Sequence, residues 1–298
     1  MNKRTLALLA ALVATTIYGL NHTIAKGLMP VYIKPFGFIF ARVLGAAILF
    51  WIIGIWGPKE RIETKDWKRI ILCAVFGMVI NMLMFFKGLS LSTPINASII
   101  VTVSPIFVFL MSAFFIKEKI TLIKYFGISL GFSGALALIL FGNEMRQDAP
   151  NITLGNILFV VNSISYGIYL IIVKPLALKY HPYTIMKWIF LIAVIINLPI
   201  TITEFIEVEW ASLPFEAVWK LSFVVIGTTF LTYLLNVFAL KELKASTVGV
   251  FMYLQPPIAI FFAIIVGSDS LTFVKSIAIL LIFTGVYLVS KNPKLHFR

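Results

Sequence analysis

Long apolar runs, separated by short polar breaks, dominate the hydrophobic pattern of this 298-residue chain. A helix needs about 20 mostly apolar residues to cross the hydrocarbon core of a bilayer. Ten runs reach about that length. They predict an all-α polytopic membrane protein whose ten transmembrane helices cover residues 6–27, 36–56, 70–89, 95–116, 122–141, 154–174, 183–203, 218–239, 246–266 and 272–290.

Composition agrees with this pattern. Hydrophobic residues make up 60% of the chain and charged residues 12%, whereas soluble domains are about 25% charged. The net charge of +13 does not indicate a nucleic-acid partner, because the basic residues lie in the breaks between runs and form no single patch. Cys73 is the one cysteine, so a disulfide within the chain and a thiolate metal cluster are excluded. We expect no cofactor and no metal.

The basic residues also predict the orientation. Of the 25 lysines and arginines, 18 fall on the side that holds the N-terminus, 6 fall on the other side, and Arg42 lies within a span. Cytoplasmic connections carry the excess of lysine and arginine. We therefore expect a multi-pass protein of the cytoplasmic (cell) membrane with both termini in the cytoplasm.

The two halves of the chain resemble each other. A shift of 151 residues superposes Pro105 on Pro256, Thr121 on Thr272 and Phe132-Ser133-Gly134 on Phe283-Thr284-Gly285. This similarity predicts two repeats, residues 1–147 and 148–298, with five helices each. An odd number of spans inverts the second repeat, and inverted repeats around a central cavity are characteristic of secondary transporters. The alternative is that the similarity only records a gene duplication.

A known family shows the same features. Ser104-Pro105, the run Lys117-Glu118-Lys119-Ile120-Thr121 and Phe132-Ser133-Gly134 resemble the EamA-type branch of the drug/metabolite transporter superfamily. The resemblance covers nearly the whole chain and implies a ten-span carrier of two inverted, EamA-like five-span repeats with cytoplasmic termini. The second repeat departs from the pattern, because Ser268-Asp269-Ser270 replaces the acidic-basic pair.

Polar residues inside three predicted spans recur at positions i, i+3, i+4 and i+7, which is the spacing of one helix face. Such side chains are costly in hydrocarbon and face a cavity or another helix. We predict that they bind the solute; the alternative is that they bridge packed helices. The stripes are Tyr18, Asn21, His22 and Ala25 in the first span, Asn162, Ser165, Tyr166 and Tyr169 in the sixth, and Thr229, Thr232, Tyr233 and Asn236 in the eighth.

Charged and titratable residues inside spans are few. Arg42 lies about six residues into the second span, where it either binds an anionic group of the solute or extends its head to the lipid headgroups. Lys26 and Lys174, near span ends, are expected to extend to the headgroups. His22 is either a proton relay or a neutral interior histidine. All 12 aspartates and glutamates lie in loops or at span ends, so a zwitterionic, anionic or neutral solute is favoured.

Proline and glycine mark further features of the spans. Pro105 and the pair Pro256-Pro257 fall within the fourth and ninth predicted spans, where they predict helix bends near the binding site or simple packing kinks. Gly127 and Gly131, with Gly134, permit close helix contact. A homo-oligomer formed through this face is left open.

Three functional classes fit a polytopic membrane protein. An enzyme would need a nucleophile, a metal cluster or an acid–base pair at membrane depth, and the spans offer none. A receptor-like or structural protein has no need for inverted repeats. We therefore expect a secondary transporter that moves a small, amino-acid-like or otherwise polar metabolite by alternating access, with export as the expected direction. Its partners are the lipid bilayer and a small-molecule solute.

Overall fold

The computed structural model describes residues 3–57, 59–104, 106–107, 110, 121–141, 147–235, 239 and 254–290. Within these ranges the regular structure is helical and no strand occurs. We label the helices in chain order as α1 Lys3–Lys26, α2 Pro35–Gly54, α3 Thr64–Leu91, α4 Pro94–Val101, α5 Leu122–Phe141, α6 Ile152–Lys179, α7 Pro182–Ile206, α8 Phe215–Leu235, α9 Gln255–Ile265 and α10 Phe273–Ser290.

Seven described helices are long and apolar enough to cross a membrane: α1, α2, α3, α5, α6, α7 and α8. The bounds of α5 coincide with the predicted span, whereas α3 begins six residues before the predicted start and α6 ends five residues after the predicted end. The predicted spans 95–116 and 246–266 lie partly outside the described residues. The count of ten transmembrane helices therefore stays a prediction.

The helices α2 and α7 pack against each other in opposite directions. The start of α2 meets the end of α7, since a Cβ added to Gly37 would lie 2.6 Å from the carbonyl oxygen of Glu204. Farther along the pair, the rings of Phe50 and Phe190 stack with centroids 5.3 Å apart. The helix pair α2–α7 is therefore antiparallel along its whole length.

Glycine allows α5 and α10 to cross at very short distance. A Cβ on Gly285 of α10 would lie 2.5 Å from the carbonyl oxygen of Gly127 and 2.6 Å from the amide nitrogen of Gly131. A Cβ on Gly134 would likewise lie 3.0 Å from the carbonyl oxygen of Ala278. The close contact predicted for these glycines is confirmed, and its partner is a helix of the same chain.

One ion pair and two hydrogen bonds, called here the first clamp, join the start of α2 to the end of α7. Lys34, just before α2, contacts Glu207, just after α7, with Nζ and Oε2 2.7 Å apart. Glu204 accepts hydrogen bonds from the amide nitrogens of Phe36 at 2.7 Å and Gly37 at 3.2 Å. A carboxylate at a helix N-terminus is favourable because the free amide groups there carry partial positive charge.

A second clamp lies at the opposite end of the pair, where α2 ends and α7 begins. Lys179, at the end of α6, contacts Glu63, in the loop after α2, with Nζ and Oε1 2.6 Å apart. Glu60 accepts from the amide nitrogen of His181, just before α7, at 2.7 Å. Hydrogen bonds from Lys179 and Lys65 lower the pKa of the Glu63 carboxyl. Glu204 and Glu207 follow Glu60 and Glu63 by the same 144 residues, so the two clamps correspond in sequence as well as in contacts.

Two helices contain a π-helical segment, Ala74–Ile80 in α3 and Phe223–Leu231 in α8. A π-helical segment inside a longer helix is rare and is frequently found at a functional site. The wider turn changes which carbonyl groups are paired within the helix. Both segments lie beside the polar residues considered below.

The predicted bends at the prolines are only partly described. Pro256 and Pro257 occupy the first turn of α9, which begins at Gln255; residues 251–253 lie outside the described residues, so a bend at this position stays a prediction. A helix start tolerates proline because the first amide groups have no partner within the helix. Pro105 lies outside the described residues. The prolines that stand inside described helices are Pro175 in α6 and Pro199 in α7.

Candidate functional site

The three predicted polar stripes face the interior of the protein. Among their described members, the three tyrosines Tyr18, Tyr166 and Tyr233 are half-buried and none is exposed. Asn236 lies outside the described residues. The remaining members are buried: Asn21, His22, Ala25, Asn162, Ser165, Tyr169, Thr229 and Thr232.

Four tyrosines from three helices form one cluster. Tyr18 of α1, Tyr166 and Tyr169 of α6 and Tyr233 of α8 lie close enough for their phenol groups to interact electrostatically. The rings of Tyr166 and Tyr169 have centroids 5.9 Å apart. The Tyr169 ring packs against Gly77 in the π-helical segment of α3, where a Cβ would lie 2.5 Å from the ring. Glycine at that position leaves the space that the tyrosine occupies.

Arg42 of α2 extends into the same region. Its side chain is 7% exposed, its Nε donates a hydrogen bond of 2.7 Å to Oγ1 of Thr229 in α8, and its Cζ lies 4.9 Å from the centroid of the Phe86 ring in α3. Tyr18 and Tyr233 are its electrostatic neighbours. The alternative that Arg42 extends to the lipid headgroups is therefore wrong.

Carbonyl groups of both π-helical segments accept hydrogen bonds from hydroxyl side chains next to the tyrosine cluster. Ser165 of α6 donates a hydrogen bond of 2.7 Å to the carbonyl oxygen of Phe76. Thr229, which accepts from Arg42, donates its own proton to the carbonyl oxygen of Val224 at 3.0 Å. One carbonyl group of each π-helical segment therefore accepts a hydrogen bond from a predicted stripe residue.

Two of the predicted binding residues connect helices or backbone in this structure. Asn162 and Asn81 form a reciprocal pair, in which each side-chain amide donates to the other residue's carbonyl oxygen, at 2.8 and 3.3 Å. The Thr232 hydroxyl donates to the carbonyl oxygen of Thr228 at 2.7 Å. The Asn162–Asn81 pair joins α6 to α3 and matches the helix-bridging alternative, whereas the Thr232 contact stays within α8.

His22 and Asn21 lie on the α1 stripe beside Tyr18. Nδ1 of His22 lies 3.1 Å from the carbonyl oxygen of Tyr18, and the ring meets Phe85 edge to face at 5.5 Å. Since a carbonyl oxygen accepts a proton, Nδ1 carries the hydrogen in this arrangement. Asn21 is different, because its buried Oδ1 has no hydrogen-bond donor among the residues that the structure describes.

Lys26 has a function that the sequence analysis missed. Its ammonium group is buried and donates to the carbonyl oxygens of Leu89, Ser90 and Asp148 at 2.8, 3.2 and 2.5 Å. A cation at a helix C-terminus stabilises the unpaired carbonyl groups there, so the prediction that Lys26 extends to the headgroups is wrong. Pro94 predicts that the preceding helix ends a few residues earlier, and it ends at Leu91. The carbonyl groups at that end need donors, which was the signal that could have identified the partner of Lys26. The side chain of Lys174 is not described.

A surface cleft of about 390 Å³ lies at one end of the bundle. It is formed by the loop between α1 and α2 and the loop between α7 and α8, and its lining includes Tyr32, Lys34, Glu204 and Glu207. The cleft therefore lies beside the residues of the first clamp, whereas the tyrosine cluster and Arg42 lie inside the helix bundle. A central cavity stays a prediction.

Comparison with known proteins places the chain in a family. The sequence model of the EamA-like transporter family matches residues 5–140 and 153–291. An "Uncharacterized transporter" of Archaeoglobus fulgidus is 27% identical, over 93% of this chain and 96% of that protein. The "Uncharacterized transporter YoaV" of Bacillus subtilis is 26% identical, over 82% and 83% of the two chains.

A solved structure shares the fold. It is described only as the crystal structure of a protein, is 17% identical, and superposes with a TM-score of 0.64 over 96% of this chain and 98% of its own. The family match spans most of the sequence, and the relatives are named as transporters. The chain is a multi-span membrane transporter and not an enzyme, and it belongs to the EamA-like transporter family.

Proposed function

We propose that this transporter moves a small zwitterionic, anionic or neutral metabolite by alternating access, as a secondary carrier and in the export direction. The observation that carries the proposal is the convergence of polar groups from α1, α2, α6 and α8 on one interior region. Tyr18, Arg42, Tyr166, Tyr169 and Tyr233 lie there together. Polar groups inside a membrane bundle mark substrate pathways when they face the interior.

Two inverted repeats, residues 1–147 and 148–298, support alternating access. The helix pair α2–α7 is antiparallel and carries corresponding clamps at its two ends. The π-helical segments fall in the third helix of each half. Two similar halves of opposite orientation can exchange conformations, and this exchange opens a site between them to each side in turn.

Exchange transport by purified protein in liposomes tests the proposal. Vesicles loaded with unlabelled amino acids, nucleosides, sugars or organic acids should accumulate the labelled form of at least one class faster than protein-free vesicles. Tyr18→Phe and Tyr233→Phe should each slow that exchange about two- to tenfold, since a hydrogen bond contributes roughly 0.5–1.5 kcal/mol.

Tyr125→Phe is the matched control, because Tyr125 is exposed on the outer face of α5. It should exchange the solute at the wild-type rate. Absence of exchange for every class would contradict the transport mechanism, and equal rates for all three variants would contradict the proposed position of the site.

A further inference from the structure

The terminal nitrogens of Arg42 have no protein acceptor within the described residues. A guanidinium group has five N–H donors, and the Nε donor alone is used, by Thr229. No carboxylate of the described residues forms an ion pair with Arg42; its other contact is the ring of Phe86, and its electrostatic neighbours are the phenols of Tyr18 and Tyr233. The four N–H groups of the two terminal nitrogens are therefore left for another partner.

A buried cation without a counter-ion is costly. Removing a charge from water costs several kcal/mol unless an opposite charge and hydrogen bonds compensate for it. Thr229 and Phe86 fix the direction of the guanidinium from α8 and α3, so it cannot turn toward the headgroups without breaking these contacts. The arrangement therefore holds a positive charge in place at a site where no described residue supplies a negative charge.

The neighbours of Arg42 determine which anion fits. The phenols of Tyr18 and Tyr233 are neutral and can donate hydrogen bonds. Phe50 and Phe190 pack against the ring of Tyr233, with centroids 6.2 and 5.9 Å away. One fixed positive charge matches one negative charge, and a planar guanidinium edge matches the two oxygens of a carboxylate.

We propose that Arg42 binds the carboxylate of the transported solute through its terminal N–H groups, with Tyr18 and Tyr233 as additional hydroxyl donors. The ligand class is a small organic monocarboxylate, either a simple acid or the carboxylate end of an amino acid. This assignment rests on the proposed function, because it names the substrate class of the same interior site.

Thermal unfolding of the purified protein with paired probes tests the assignment. The pairs are acetate and acetamide, lactate and lactamide, benzoate and benzamide, and glycine and glycinamide, in chloride buffer of constant ionic strength. At least one acid should raise the midpoint of unfolding more than its own amide does. The pair that responds distinguishes a simple acid from an amino acid.

Two variants connect the effect to the guanidinium. Arg42→Gln removes the charge but keeps a donor for Thr229, so it should fold without ligand at least as well as the wild type and lose the preference for acid over amide. Arg42→Lys keeps the charge and loses the two-pronged geometry, so it should bind the responding acid about ten- to hundredfold more weakly.

Two results would overturn the assignment. One is a wild-type protein that no acid stabilises more than its amide; the other is an acid preference that persists in Arg42→Gln. Exchange of the responding acid in liposomes separates this site from the proposed function. Specific binding without any exchange would leave the carboxylate site intact and contradict transport.

Discussion

Lys275 and Asp269 form a buried ion pair within this chain. Their Nζ and Oδ1 atoms are 2.9 Å apart, and the side chains are 1% and 0% exposed. Asp269 also accepts from the amide nitrogen of Ile95 at the start of α4, at 3.1 Å. The pair joins α10 to α4 through the loop in which this sequence departs from the family pattern. Arg42 is also buried, at 7% exposed, but no carboxylate of the described residues pairs with it.

Removing one partner of this ion pair should be strongly destabilising. Lys275→Met removes the ammonium group that contacts the buried Asp269 carboxylate, and we expect the free energy of unfolding to fall by about 3–5 kcal/mol. Adding Asp269→Asn should restore part of the loss, because the amide oxygen can still accept from Ile95. Thermal unfolding in detergent measures both variants.

Lys65→Met is the control for this prediction, because Lys65 forms its ion pair with Glu63 at the surface, with side chains 75% and 50% exposed. Surface ion pairs contribute little to stability. If the Lys275 and Lys65 variants unfold at the same temperature, the buried pair does not have the structural importance inferred here.

At the scale of helices, the α5–α10 crossing depends on backbone contact. A methyl group on Gly285 would meet backbone atoms of Gly127 and Gly131, which cannot move aside as a side chain can. We expect Gly285→Ala to lower the free energy of unfolding by about 1–3 kcal/mol, as overpacking does in other cores. The midpoint of thermal unfolding measures the effect.

Gly54→Ala, at the end of α2, is the matched substitution with space available. The nearest atom to its new methyl group would be Cδ of Lys187 at 3.7 Å, an ordinary contact distance. Alanine is favoured over glycine in a helix, so this variant should be as stable as the wild type or more stable. A Gly285→Ala protein that matches Gly54→Ala would contradict the close crossing.

Sequence patterns predicted the helices better than their internal irregularities. The apolar run at 122–141 gave the bounds of α5 because both ends carry breaks in hydropathy. The π-helical segments of α3 and α8 were not predictable from the hydropathy pattern, because their residues continue the apolar run.

The sequence predicted which residues belong to the candidate site, but not which of them bridge helices and which are left to bind a solute. Helical spacing identified Tyr18, Tyr166 and Tyr233, because periodicity reports which face of a helix a residue shares. Periodicity cannot distinguish a side chain that bridges helices, as Asn162 does through Asn81, from one that is left unpaired. That distinction depends on residues that are distant in sequence.

For the molecule as a whole, the two clamps lie at opposite ends of α2 and α7, so they provide markers for the two membrane faces. We expect the end with Glu63 to be cytoplasmic, because the basic residues are concentrated there. Single cysteines at Thr64 and Ala211, in a Cys73→Ser background, should differ in reaction with an impermeant thiol reagent added to intact cells.

Both positions are exposed, and neither substitution removes a clamp contact. The cysteine at 211 should react from outside, and the cysteine at 64 should react only after the cells are permeabilised. The reverse result would invert the orientation, and reaction of both from outside would contradict the antiparallel course of α2 and α7.

The bond between Arg42 and Thr229 also has a consequence for biosynthesis. The two residues are 187 positions apart, and a ribosome adding about 5–20 residues per second needs roughly 10–40 s to make the intervening chain. Until then α2 is already made, and the Nε of its arginine has no acceptor from α8. Gly127 and Gly131 wait almost as long for Gly285, which follows them by 158 and 154 positions. A newly made first half must therefore be kept in the membrane with its charged and glycine-lined faces shielded, by the insertion machinery or by a chaperone, until the second half arrives.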